Sequence, residues 1–369
     1  MIPLVDLQAA HAEVAEEVDA GFKRVLANTA FVGGEEVAAF EREFAEFSGV
    51  AHCVGVANGT DAVELALRAA GVGPGDEVVV PANTFVATAE AVARAGAGVV
   101  YADIDPDTYL VDVESMLAAV GRKTRAVVPV HLYGQLAAAE RLRAELSGRG
   151  IAVVEDAAQC QGALRHGRAA GTGGIATTSF YPGKNLGAYG DAGAVLTDDI
   201  ELATAVRTIG SHGGLKKYVH EVVGVNSRLD ALQAVVLRAK LARLAAWNVA
   251  RRSAASRYDE LLAGLDVARP VTLEGNEHVW HLYVIRVPGG TERRDAVLAK
   301  LHEAGVGAGI HYPYPVHLTP AFADPRFPAG SFPHAERVAN EILSLPLYPQ
   351  ITTDQQETTV RALAAALKG

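Results

Sequence analysis

At 369 residues, half of them hydrophobic and 21% charged, the chain is longer than one comfortable core and has the balance of an ordinary globular protein, so two domains are expected. A formal charge of −10 argues against general nucleic-acid binding, and no apolar run reaches the roughly 18 to 20 residues that span a bilayer, so no nucleic acid and no membrane is expected as a partner. Residues 1–7 lack a basic leader segment, which points to the cytoplasm, and Cys53 and Cys160 stand far apart without histidine at ligand spacing, so nothing indicates a disulfide framework or a structural zinc site.

Apolar positions recur at helical spacing over 14–47, and the first dozen residues read as an arm. An α/β rhythm follows. Strands are expected at 52–56, 77–80, 98–102, 126–130 and 151–154, separated by helices starting near Thr60, Phe85, Asp112 and Leu136. Strands alternating with helices imply a mainly parallel sheet covered on both faces, whose ligands sit beyond the carboxyl ends of the strands.

The residues after each strand therefore carry the argument. Asn58 can cap a helix while the N–H groups of Gly59 and Thr60 point at an anion, although a plain capped helix is the commoner use of Asn-Gly-Thr. Phe85 can lie flat on an aromatic ligand or simply fill a core. His131 and Tyr133 are equally ambiguous. Glu155 and Asp156 end a hydrophobic strand and point to opposite faces, so one of them can serve a site; Asp156 is the choice, with a salt bridge to arginine as the sober alternative. Cys160 reads as a small buried hydrophobe.

A further buried strand, 175–181, leads into Ser179-Phe180-Tyr181-Pro182-Gly183-Lys184-Asn185, followed by Gly187 and Gly190. Little side-chain bulk surrounds Lys184, so a flat ligand can approach and the ammonium can be desolvated, which lowers a lysine pKa and frees a nucleophilic amine. Beyond Val195 comes a polar, basic loop with Lys216, Lys217 and His220, then Asn226 and Arg228. Leu229, Leu232, Val236, Leu237, Leu241, Leu244 and Trp247 form the stripe of a long helix. The remainder reads as a smaller α+β domain with a strand at 279–287, a helix at 293–303 and a final helix, giving domains at 1–248 and 249–369. His311 and His317 could suggest a metal, but Pro313 and Pro315 forbid helical geometry and no carboxylate accompanies them, so no metal is assigned.

An anion seat, a flat aromatic face, a strand-end carboxylate and a desolvated lysine together match the needs of pyridoxal 5′-phosphate. Lys184 would bond its aldehyde and shuttle a proton, Asp156 would keep the ring nitrogen protonated, and Gln159 can reach the phenolic oxygen. The motifs Asn58-Gly59-Thr60, Glu155-Asp156-Ala157-Ala158-Gln159 and Ser179 through Asn185, in a chain running from Ile2-Pro3-Leu4 to Leu347-Tyr348-Pro349, resemble the DegT/DnrJ/EryC1/StrS family of nucleotide-sugar aminotransferases. That resemblance implies the aspartate aminotransferase-like α/β fold (fold type I), with a large mostly parallel sheet and a smaller α+β domain. It implies that Gly59, Thr60 and Ser179 hold the cofactor phosphate, that Phe85 stacks on the ring and that Lys184 carries the cofactor.

It further implies a homodimer with shared sites, in which Asn226 reaches the partner's cofactor phosphate while Lys216, Lys217, His220 and Arg228 put positive charge near a diphosphate or carboxylate. The stretch after Lys184 and the segment from His311 to Leu318 resemble enzymes that aminate C3 of a dTDP-3-keto-6-deoxyhexose, with L-glutamate as donor, for antibiotic deoxysugars. Tyr181, Tyr189, His311 and Tyr312 are then the residues expected near the sugar. The alternatives are C4 amination, a pyridoxal phosphate dehydratase, which the retained Lys184 disfavours, and a non-catalytic cofactor-binding relative.

Overall fold

The computed structural model describes residues 1–368. Its centre is a seven-stranded sheet in the order His52–Val56, Gly193–Thr197, Ile175–Ser179, Ala152–Asp156, Thr124–Val127, Glu77–Pro81, Gly98–Ala102. Gly193–Thr197 pairs antiparallel with both neighbours, and every other pairing is parallel. Six strands therefore run one way, and their carboxyl ends share one edge of the sheet. This is the expected α/β architecture, with valine and alanine filling both faces of the strands.

The sequence boundaries shift where another force takes over. The strand expected at 126–130 is Thr124–Val127, because Pro129 cannot donate to a ladder; Val130 keeps only an isolated bridge to Asp156. The helix expected near Leu136 begins at Ala139, after a turn at Leu132–Gly134 in which Tyr133 takes φ 59°. The strand expected at 279–287 shortens to Tyr283–Arg286. Its first residues leave the ladder to bond the large sheet's loops, Val279 donating to the Gly134 carbonyl and Leu282 to that of Tyr133.

One helix, Ala231–Leu261, spans 31 residues. Leu237, Leu241 and Leu244 pack in the core beside the sheet, while Ala254, Ala255 and Tyr258 pack with Tyr283, Leu301 and Leu363 in a second core. We propose that the division between the two domains falls inside this helix, near residue 248. Among the described residues no helix is long and apolar enough to cross a membrane. The amino-terminal arm is tied down: Ile2 donates to the Gly305 carbonyl, and the Leu4 carbonyl accepts from Leu347.

Candidate active site

A cavity of about 450 Å³ opens where the strand ends converge, a volume in the range of small-molecule sites. Asn58, Gly59, Thr60, Phe85, Asp156, Gln159, Ser179, Tyr181, Lys184, His311 and Tyr312 all face it. Four strands thus deliver the residues from Asn58 to Lys184 to one place, and His311 and Tyr312 join them from the loop that follows helix Gly290–Glu303.

The anion seat comes from helix Gly59–Ala69. Asn58 Oδ1 caps it by accepting from Asp61 N–H at 2.8 Å, which leaves the N–H groups of Gly59 and Thr60 free at the positive end of the helix dipole. Ser179 crosses just in front: a Cβ on Gly59 would lie 2.5 Å from Ser179 Cβ. Ser179 Oγ accepts from Tyr181 N–H at 3.2 Å, so its own proton remains to donate. A concave nest of backbone and hydroxyl donors is what a phosphate monoester needs.

The paired carboxylates separate as strand alternation requires. Glu155 meets His131 Nε2 at 2.8 Å, Arg143 at 2.8 Å and Gly171 N–H at 3.1 Å. His131 Nδ1 accepts from Ala137 N–H, so Nε2 is the donor toward Glu155. Burial pushes Glu155 up, but these bonds and charges outweigh it and hold the carboxyl below its usual range. Asp156 has no such cation. Its Oδ2 accepts from Thr88 at 2.8 Å and Oδ1 from Ala158 N–H at 3.1 Å, and Thr88 is itself bonded to Thr84 at 2.9 Å. The arginine bridge kept open from the sequence thus belongs to Glu155, and Asp156 is left to serve the cavity with room for a cationic N–H.

Lys184 stands on the turn after Ile175–Ser179, with burial pushing its ammonium down from 10.5 to about 8 and the nearby Asp156 charge opposing. Gln159 is fixed in direction, because Oε1 accepts from Tyr133 N–H at 2.7 Å and Nε2 must then face the cavity, where it reaches Tyr312 Oη at 3.0 Å. Phe85 is 50% exposed although it lines a cavity, and among the described residues its one aromatic neighbour is Tyr312 at 5.3 Å, so one face is available for stacking. Burial, and then the Lys184 charge, push His311 down to about 4, so its imidazole is neutral.

Tyr189, Lys216, Asn226 and Arg228 do not line this cavity. Tyr189 instead packs edge-on to His11 and under Lys240, whose Nζ lies 4.6 Å from its ring. Lys216, Asn226 and Arg228 are exposed. Sequence reasoning missed Leu4, Val5, Thr88 and His281, which also line the wall. Leu4 and Val5 arrive through long-range docking of the arm. Thr88 carries a recoverable signal, since it lies one turn beyond Thr84 on the helix that follows a strand end.

The free N–H donors at Gly59 and Thr60, the Asp156 carboxylate without an arginine partner and the desolvated Lys184 fit pyridoxal phosphate at its phosphate, ring nitrogen and aldehyde respectively. Comparison with known proteins agrees. The chain is 44% identical over 364 residues to dTDP-3-amino-3,4,6-trideoxy-alpha-D-glucose transaminase of Streptomyces venezuelae, covering 98% of this chain and 95% of that one. It is 43% identical over 369 residues to UDP-N-acetyl-3-dehydro-alpha-D-glucosamine 3-aminotransferase of Acidithiobacillus ferrooxidans, covering 100% and 98%. The crystal structure of DesV from S. venezuelae superposes with a TM-score of 0.96 at 43% identity, covering 100% of this chain and 99% of that one. NtdA of Bacillus subtilis, solved with the cofactor PMP, gives 0.89 at 33%, covering 99% and 83%. A family model matches residues 12–364, and the chain belongs to the DegT/DnrJ/EryC1/StrS aminotransferase family, with pyridoxal phosphate as its cofactor.

Proposed function

We propose that this protein transfers an amino group from L-glutamate to C3 of a dTDP-3-keto-6-deoxyhexose, in the cytoplasm, within antibiotic deoxysugar synthesis. The observation that carries the reading is the convergence on one cavity of Lys184, Asp156 and the unpartnered N–H groups of Gly59 and Thr60. When bound, the cofactor supplies an electrophilic aldehyde and a protonated ring able to accept the electron pair of a breaking C–H bond.

The chain's own groups do the rest. Asp156, steadied by Thr88, holds the proton on the ring nitrogen. Gly59, Thr60 and Ser179 anchor the phosphate, Phe85 covers the ring, and Gln159 Nε2 orients its phenolic oxygen. Lys184, with its lowered pKa, takes a proton as the free amine and returns it as the ammonium near neutral pH. Tyr181, His311 and Tyr312 line the cavity for the sugar, where a neutral His311 does not repel an incoming cationic amine.

Asn226, Lys216, Lys217, His220 and Arg228 act, in this reading, on the site of a second copy. Loop 211–226 supports it: Leu215, Tyr218 and Val223 are 56%, 83% and 88% exposed beside Lys216 and Lys217. An apolar, basic projection of this kind suits an interface that also meets a diphosphate. C3 regiochemistry is supported by the 3-amino and 3-dehydro sugars named for the two relatives, whose nucleotides differ.

The test is turnover of holoenzyme with L-glutamate and dTDP- or UDP-linked 3-keto and 4-keto sugars, following 2-oxoglutarate and assigning the product by NMR. An amine at C3 of the dTDP sugar is expected. Exclusive C4 amination, or preference for the UDP sugar, would overturn the corresponding part of the reading.

A further inference from the structure

His281 lies on the segment 279–282 that bonds the loops of the large sheet, and it is buried while lining the cavity. Its Nδ1 stands 3.2 Å from Asn185 Oδ1, and Asn185 directly follows Lys184. The direction of that amide is settled by its other end. Asn185 Nδ2 is 3.0 Å from the Val279 carbonyl, which can only accept, and 3.0 Å from Asn248 Oδ1. Oδ1 therefore faces the histidine, and Nδ1 must donate to it.

Burial first, then the charges of Lys184 and Arg251 and the neighbouring His311, push His281 well below its usual value, so the ring is neutral. With the proton fixed on Nδ1, Nε2 carries a lone pair. No protein group among the described residues bonds Nε2, yet this nitrogen is not among the sealed, unpartnered polar atoms. It opens on the cavity.

We propose that His281 is a tautomer-locked positioning residue, whose Nε2 accepts an N–H from the Lys184 amine once substrate has displaced that amine from the cofactor, and so aims it at the reacting carbon. The inference rests on the transamination reading and assigns a role to a residue outside the cofactor set. The tie through Asn185 favours Lys184 over a sugar hydroxyl as the donor: the bond that locks the ring also fastens it to the backbone carrying the lysine.

Two variants separate the acceptor from mere packing. His281→Asn keeps an N–H at the Nδ1 position for Asn185 but loses the acceptor, whereas His281→Gln can place a carbonyl where Nε2 stood. The expected result is a fall in kcat of about tenfold in His281→Asn, the loss of one hydrogen bond of about 1.4 kcal/mol. KM for the nucleotide sugar should stay within about twofold, and His281→Gln should recover most of the rate. A His281→Asn enzyme with unchanged kcat, or with its loss in KM, would overturn the proposal. Nitrogen NMR of histidine-labelled wild-type holoenzyme gives a readout independent of turnover and of variant folding. A neutral Nδ1–H ring at position 281 is expected, and an Nε2–H or cationic ring at neutral pH would sink it. Absence of amino transfer by the wild-type enzyme would break the transamination reading, while the NMR signal bears on His281 alone.

Discussion

The strand-end wall of the cavity and the loop 211–226 are built on opposite terms. In the wall, nearly every functional group is fixed by a second bond inside the same chain: Asn58 by Asp61, Asp156 by Thr88 and Ala158, Gln159 by Tyr133. In the loop, Lys216, Lys217, Tyr218 and Asn226 face solvent. A flat cofactor of constant shape rewards groups locked before it arrives, because no ordering entropy is then lost on binding. A substrate that enters and leaves can be met by exposed cations, which in the proposed reading serve the site of a second copy.

Lys184 is the sharpest way to break the comparison. Lys184→Ala should abolish the absorbance of the covalently attached cofactor and lower amino transfer by about 10³-fold or more, as expected when a positioned nucleophile and acid–base group is lost. Retained transfer would end the mechanism. The amine should also titrate near 8 in cofactor-free protein, so reaction with a small aldehyde should rise with pH through that value rather than through 10.5. Because the folded pKa is the lower one, the charged lysine destabilises the cofactor-free fold. That penalty is full below about pH 8 and is relieved as pH rises toward 10.5. Lys184→Met should therefore raise the Tm of the cofactor-free protein at pH 7.

The adjacent carboxylates offer a contrast within one dipeptide. Asp156→Asn should cost on the order of 10² in kcat, the scale of losing one preorganised electrostatic partner, with little change in Tm. Glu155→Gln should do the reverse. It leaves Arg143 and Gly171 N–H poorly paired, at about 1–3 kcal/mol and roughly 2–4 °C of Tm per kcal/mol, with transfer within a few-fold of wild type. Equal effects of the two variants on kcat would show that the two faces of the strand are not divided in this way.

The proposed sharing of the site between two copies can be tested by mixing. Asn226→Ala should weaken cofactor retention by about tenfold, the value of one hydrogen bond to a charged phosphate. Co-expressed with Lys184→Ala, it should give mixed dimers in which one site regains both residues and recovers part of the activity. No recovery would confine Asn226 to its own chain.

How far the sequence could be read follows the same division. Motifs that end strands were legible because strand, turn and helix are local: Asn58-Gly59-Thr60, Asp156 and Lys184 reach the cavity as expected. Tyr189, expected near the sugar, does not line the cavity, since its contact with His11 and Lys240 depends on how the arm and the long helix pack. His281 was hidden in an apolar run that reads as strand. Only the left-handed backbone at Trp280, φ 50°, and the bonds to Tyr133 and Gly134 turn it inward. Both depend on partners distant in the chain, His11 and Lys240 for Tyr189 and the Tyr133–Gly134 turn for the segment that carries His281.

Thr88 marks the smallest expected effect and the finest cut. Its hydroxyl lies one turn along helix Val86–Arg94, where an isolated threonine is indistinguishable from any helical residue, yet it donates to Asp156 Oδ2 at 2.8 Å while bonded to Thr84. Thr88→Val keeps the shape and removes the donor, and Ala158 N–H still holds the other carboxylate oxygen. The loss of one buried hydrogen bond, about 1 kcal/mol, should lower kcat roughly fivefold and leave KM for the sugar unchanged. Added to Asp156→Asn, the same change should have almost no further effect, because the two residues act as one unit. Full additivity of the two losses would show that Thr88 serves helix packing rather than the carboxylate.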